Sequence, residues 1–199
     1  MQAAKQHQTL TDVDDSVLVV IDVQQSFLAK MSKEHTQPII NRISWLVQRA
    51  VELNVPIVAT AEDIPSQGKN IPQISDFFPE GTIEYNKMSF GLAGDPVILT
   101  AIESTHRKSA IIVGLETDVC VMQSALGLLQ KGFRVVVLSD ATASPGPCHK
   151  AGILRMQNAG AIISTVKGTF YEWIRKVDFA GANFDAEIWD SEQPEGIYL

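Results

Sequence analysis

Cys120 is the residue of this 199-residue chain whose setting first suggests chemistry. It stands in AIIVGLETDVCVMQSALGLLQ, where the β-branched run Ala110–Val113 is stopped by Gly114. Val121, Met122, Ala125, Leu128 and Leu129 then recur at helical spacing until Gly132. Thr117 or Asp118 can cap that helix, which puts Cys120 in its first turn. There, unpaired backbone N–H groups and the positive end of the helix dipole favour a thiolate and could hold an oxyanion. A lone cysteine is also often a small buried hydrophobe, and the stretch by itself admits either role. Asp22 ends another apolar run, Ser16–Ile21, and so lies where a parallel strand delivers residues to a ligand site, although Asp is also a common helix cap. Lys87, in EYNKMSFGLAGD, has no such setting and reads by itself as a solvated lysine.

The elements that must position these residues alternate. Apolar runs predict strands over residues 16–21, 56–60, 109–113, 133–138 and 161–166. Helical periodicity predicts helices over Pro38–Leu53, from the Asp95–Pro96 cap to about His106, over His149–Ala159 and over Gly168–Lys176. This βα rhythm implies an α/β fold with a mainly parallel, doubly wound central sheet covered on both faces. Right-handed crossovers then bring strand C-terminal ends to one edge, so Asp22 and Cys120 can converge from distant parts of the chain. Ala61–Gly81, with three prolines and two glycines, reads as a long loop walling a pocket, and Ser139–Pro147 as a second loop.

Length and 45% hydrophobic content predict one well-cored domain over 1–199, with a polar lead-in at 1–15 and an acidic tail at 177–199. No apolar run approaches the roughly 18 residues of a membrane span, and the N-terminus lacks a secretory pattern. Cys120 and Cys148 have no metal or C-x-x-C spacing, which suits free thiols in a reducing, cytoplasmic compartment. A net charge of −7 disfavours nucleic acid and points to a small-molecule substrate, and no dinucleotide or P-loop glycine motif is present.

Three segments, VVIDVQQSF, NKMSFGL and VGLETDVCV, occur in that order and resemble the signatures of the isochorismatase-like cysteine hydrolases. The resemblance runs from about Ser16 to Gly168. It implies a three-layer α/β/α fold, a homo-oligomer, and a catalytic triad of Asp22, Lys87 and Cys120. It also implies a non-proline cis peptide in the turn of Glu116, Thr117 and Cys120, expected at Glu116–Thr117. In such an enzyme Cys120 attacks a carbonyl, Asp22 takes the thiol proton, and Lys87 holds Asp22 ionised. The resemblance leaves open an enol-ether hydrolase working through Asp22, and a non-catalytic binding or assembly protein. The family's nicotinamidase branch has a metal bound by an Asp-x-His unit and a further His. Here TAEDIP offers Glu62, with Ile64 where that His would stand, and the four histidines are scattered, so no metal and no cofactor are expected. Gln24, Phe27, Glu62, Phe90 and Val119 are the candidate substrate contacts.

Overall fold

VLVVI has no polar face to give to water, so the strand it forms must be covered on both sides. In a computed structural model, which describes residues 9–176, it becomes β1 (Ser16–Ile21), buried along its whole length. The other strands are β2 (Ile57–Glu62), β3 (Glu84–Lys87), β4 (Ser109–Leu115), β5 (Arg134–Ala143) and β6 (Ile162–Ser164). They form one parallel sheet in the order β3-β2-β1-β4-β5-β6. The helices are α1 (Gln25–Leu28), α2 (Lys33–Glu52), α3 (Ile64–Gln67), α4 (Pro72–Ser75), α5 (Pro96–Glu103), α6 (Met122–Gln130), α7 (Cys148–Asn158) and α8 (Val166–Ile174).

Strand side chains alternate between two cores. Leu18, Val20, Ile111, Val113, Val136 and Leu138 pack with Ile43, Leu46 and Val47 of α2 and Phe170 and Trp173 of α8. Val17, Val19, Ile21, Ile112, Val135 and Val137 pack with Ile98 and Ile102 of α5, Ala125 and Leu128 of α6, and Met156 of α7. The result is a three-layer α/β/α domain. Among the described residues no helix is long and apolar enough to cross a membrane.

Several elements differ from the sequence reading. Strand β3 is not among the expected strands, because an edge strand of four residues, EYNK, has no apolar run to announce it. Strand β4 continues past Gly114 to Leu115, since Gly114 adopts φ +125° against the Ile21 carbonyl, where a Cβ would sit 1.9 Å from the oxygen. Strand β5 runs through the expected loop to Ala143 after a register shift against β4. Helix α2 starts before Pro38, at Lys33, and α5 ends at Glu103, three residues before His106 with its positive φ. Thr165 caps α8 by accepting from Gly168 N, which starts that helix at Val166 and shortens β6. Asp95 caps α5 as expected, and the long loop contains α3 and α4. The tail at 177–199 and most of the lead-in lie outside the described residues.

Candidate active site

Four adjacent strands, in the order β3-β2-β1-β4, deliver one chemical group each at their carboxyl ends. Lys87 is the last residue of β3 and Glu62 the last of β2, and the two are register partners. Asp22 follows β1, and the turn carrying Cys120 follows β4. The order reverses between β1 and β4, the crevice where ligands bind in open α/β sheets.

Lys87 and Asp22 are fully buried and ion-paired, Nζ to Oδ2, at 2.9 Å. Lys87 also donates to the Ser89 carbonyl at 2.8 Å. Thr60 Oγ1 donates to Asp22 Oδ1 at 2.9 Å, and Asp22 N donates to Thr60 O at 3.1 Å. Asp22 has φ +51°, which Asp tolerates better than branched residues do. Burial pushes its carboxyl above the ordinary range, while the Lys87 ammonium pulls it back. The sequence default for Lys87, a solvated side chain, is therefore corrected: β3 turns it inward onto a carboxylate.

The Cys120 thiol donates to Glu62 Oε2 at 3.3 Å, and that oxygen is 3.7 Å from Lys87 Nζ. Cys120 is 3% exposed and Glu62 22%, so Glu62 is the member of the cluster that meets solvent. The thiol does not titrate as its place in the sequence suggested. Burial pushes it well up from its ordinary value, and the Asp22 and Glu62 carboxylates add to this against a smaller opposing pull from Lys87. The resting group is a thiol.

The turn itself also differs from expectation. Thr117–Val121 is a π-turn ahead of α6, and neither Thr117 nor Asp118 caps it. Thr117 Oγ1 instead pairs with His149 Nδ1 at 2.9 Å, and Ser144 Oγ donates to Asp118 Oδ1 at 2.6 Å. Both side chains are thus tied to α7 and the segment before it. The amides of Val119 and Val121 donate to the Glu116 carbonyl, which occupies them. The cis peptide lies at Leu115–Glu116, one position before the bond expected, because β4 extends to Leu115 and the turn begins after it. Lys30 Nζ pairs with Glu116 Oε1 at 2.6 Å.

Of the other candidate contacts, Gln24 is buried and brackets Glu62: its Oε1 accepts from Glu62 N and its Nε2 donates to Glu62 O, both at 2.8 Å. Phe27 packs in the core under the Lys30 ammonium, because α1 turns it inward. Val119 packs against the other core, and Phe90 is 55% exposed. Thr60 and Asn70 were missed. Asn70 is buried, accepts from Val23 N, and donates to Thr60 O and Glu84 Oε2. A polar residue inside the apolar run of β2 was the available signal for Thr60; Asn70, in an aperiodic loop, gave none. That loop lines a cavity of about 990 Å³ beside α2, bounded by Asn41, Ser44, Gln67 and Phe77, which includes neither Asp22, Lys87 nor Cys120.

Asp22, Glu62 and Cys120 place one donor atom each within 4.8 Å of the others, the one such group among the described residues. The Lys87 ammonium already supplies positive charge to both carboxylates, so the set suits an internal cation better than a divalent metal. His149 faces Thr117, and Cys148 is exposed at the start of α7.

The chain is 34% identical over 163 residues to the secreted isochorismatase effector Isc1 of Phytophthora sojae, covering 79% of this chain and 76% of that one. It is 28% identical over 158 residues to isochorismatase domain-containing protein 2 of Xenopus laevis, covering 79% and 75%. Its fold is that of YcaC from Pseudomonas aeruginosa, with a TM-score of 0.77 at 24% identity, 85% of each chain being covered. It is also that of the MAR1 ribonuclease from Caenorhabditis elegans, with a TM-score of 0.81 at 23% identity over 96% of this chain and 98% of that one. The isochorismatase domain, as a family pattern, matches residues 16–168, the span that carries all four strand-end groups. With that match and that relative, the chain belongs to the isochorismatase family of hydrolases.

Proposed function

We propose that this hydrolase is a cysteine-dependent amidase acting on a C–N bond of a small molecule, with Asp22, Lys87 and Cys120 as its catalytic residues. The observation that carries this reading is the buried Asp22–Lys87 ion pair beside a buried thiol. A charge pair sealed from water costs folding energy, and here it serves a sulfur that cannot ionise by itself. Because burial holds the sulfur as a thiol, the proton leaves only as the bond forms. Asp22 accepts that proton while Sγ adds to the carbonyl carbon, and the Cys120 amide is our candidate donor to the resulting oxyanion. Collapse expels ammonia or an amine, which takes the proton from Asp22, and leaves a thioester. Asp22 then draws a proton from water, whose oxygen attacks the thioester; the acid departs and the thiol is restored. Lys87 keeps Asp22 able to cycle between its two states.

The acidic chain, at −7, suits small molecules over a polyanion, and two free thiols suit a reducing compartment. We propose a homo-oligomer, supported by exposed Ile83, Met88 and Phe90 along the β3 edge and by the octameric hydrolase YcaC of Escherichia coli, which shares the fold. An enol-ether hydrolase would need Asp22 but no sulfur. Turnover of an amide panel by wild type and Cys120→Ala distinguishes the two: activity confined to wild type supports the amidase, and intact activity in the variant ends it.

A further inference from the structure

Glu62 is the group in the site that the amidase chemistry leaves without a task. Its carboxylate lies 3.3 Å from the Cys120 sulfur and 3.7 Å from the Lys87 ammonium, yet only its side chain in this cluster is partly open to water. It is held there deliberately by the chain. Gln24, buried, clamps its backbone N–H and carbonyl at 2.8 Å each and also donates to the Gly68 carbonyl at 2.7 Å, so the main chain from which the Glu62 carboxylate reaches the sulfur is fixed. Lys87 cannot neutralise it fully, because the ammonium sits closer to Asp22, at 2.9 Å, and gives a further hydrogen bond to Ser89 O. Lys30, which reaches the Cys120 turn from outside, is paired with Glu116 at 2.6 Å and brings no net charge to the entrance. The path to the sulfur therefore passes a negative charge that Lys87 compensates only in part.

On the reading that Cys120 is the nucleophile, we propose that Glu62 is a specificity-determining residue that selects the substrate by charge. The site accepts neutral or cationic carbonyl compounds and rejects those with a carboxylate next to the reacting carbon. A like charge a few ångströms away in a partly dry site is costly, whereas a neutral amide meets no such penalty and a cationic group gains from it. An acceptor carboxylate also suits the N–H groups of an amide or amine, which an anionic acid lacks.

Alkylation tests this without knowledge of the natural substrate. Iodoacetamide and iodoacetate carry out the same step: an S–C bond forms at Cys120, the C–I bond breaks, iodide leaves and the thiol proton passes to the buffer. They differ in one negative charge. In the full chain with Cys148→Ser, so that Cys120 is the remaining thiol, the ratio of the iodoacetamide to the iodoacetate rate is measured by intact mass. It is compared with the ratio for free cysteine. The expected result is a wild-type preference for iodoacetamide at least tenfold above that of free cysteine, reduced about tenfold by Glu62→Gln and preserved by Glu62→Asp, which keeps the charge. Glu62→Gln is expected still to be labelled by iodoacetamide, which shows that its site is intact, and the Glu62→Asp ratio checks that charge and not shape sets the preference. An unchanged ratio in Glu62→Gln overturns the charge filter while leaving the nucleophile intact. Failure of both reagents to label Cys120, in wild type and in every variant, overturns the cysteine mechanism itself, and the filter with it.

Discussion

Asp22 and Lys87 are fully buried, so the Asp22 carboxylate depends on the ammonium beside it for its charge. Removing only the ammonium leaves a buried carboxyl without its partner, and Lys87→Met is expected to cost about 3–5 kcal/mol of stability as well as turnover. Pairing it with Asp22→Asn should recover much of that loss, and urea unfolding of the single and double variants measures the coupling. Asp22→Asn alone should lower turnover about 100- to 10,000-fold if Asp22 is the base. The thiol gives a pH test. With its proton held above the ordinary range by burial and two carboxylates, the Cys120 alkylation rate should keep rising well beyond pH about 8.5, the midpoint of a free thiol's curve. Free cysteine serves as the reference for that curve. Replacing Asp22 by Asn removes a charge that raises the thiol, so the Cys120 curve should move toward acid. A curve identical to that of free cysteine would contradict the burial argument.

At the scale of elements, the Cys120 turn is set from two sides. Gly114 lets β4 bend into the turn against Ile21, and Gly152 of α7 lets that helix press on it: a Cβ there would lie 2.8 Å from Thr117 O and 2.9 Å from Asp118 Cα. Gly152→Ala is therefore expected to displace the turn, lowering kcat at least about tenfold, since small errors in placing a reacting group are expensive. Its effect on stability should be smaller, about 1–3 kcal/mol from overpacking. Thermal unfolding and single-turnover kinetics on the same variant separate the two. Gly114→Ala meets main-chain atoms that cannot yield and should unfold the protein or nearly so.

At the scale of the whole molecule, the sheet that carries the site is backed by α8. Trp173 of α8 is buried, donates from its indole N–H to Ser16 Oγ at the start of β1, and lies on the far face of the sheet from α6 and α7. Trp173→Ala should lose about 3–5 kcal/mol through the cavity it leaves. Below its lowered midpoint the variant should label Cys120 at the wild-type rate, because the strand ends keep their register. A proportional loss of thiol reactivity at temperatures where the variant is folded would show that α8 sets the site as well as the stability.

The amino-acid sequence by itself determined the layers and put Asp22 and Cys120 at strand ends. Continuous apolar strands such as VLVVI and AIIV can only be central and parallel, helical periodicity marks what covers them, and a cysteine between strand and helix is visible as a local pattern. Lys87 was legible only through the NKMSFGL signature, since its strand is short and polar, and its burial depends on β2 lying beside it. Glu62 appeared as one contact among five, and only tertiary structure decided that it meets the sulfur. Likewise, the helix start argued for a thiolate, and the surroundings reversed it. Local sequence sets backbone dipoles and periodicity, but the protonation of a group depends on desolvation and on charges brought from other strands, which exist only once the sheet has assembled.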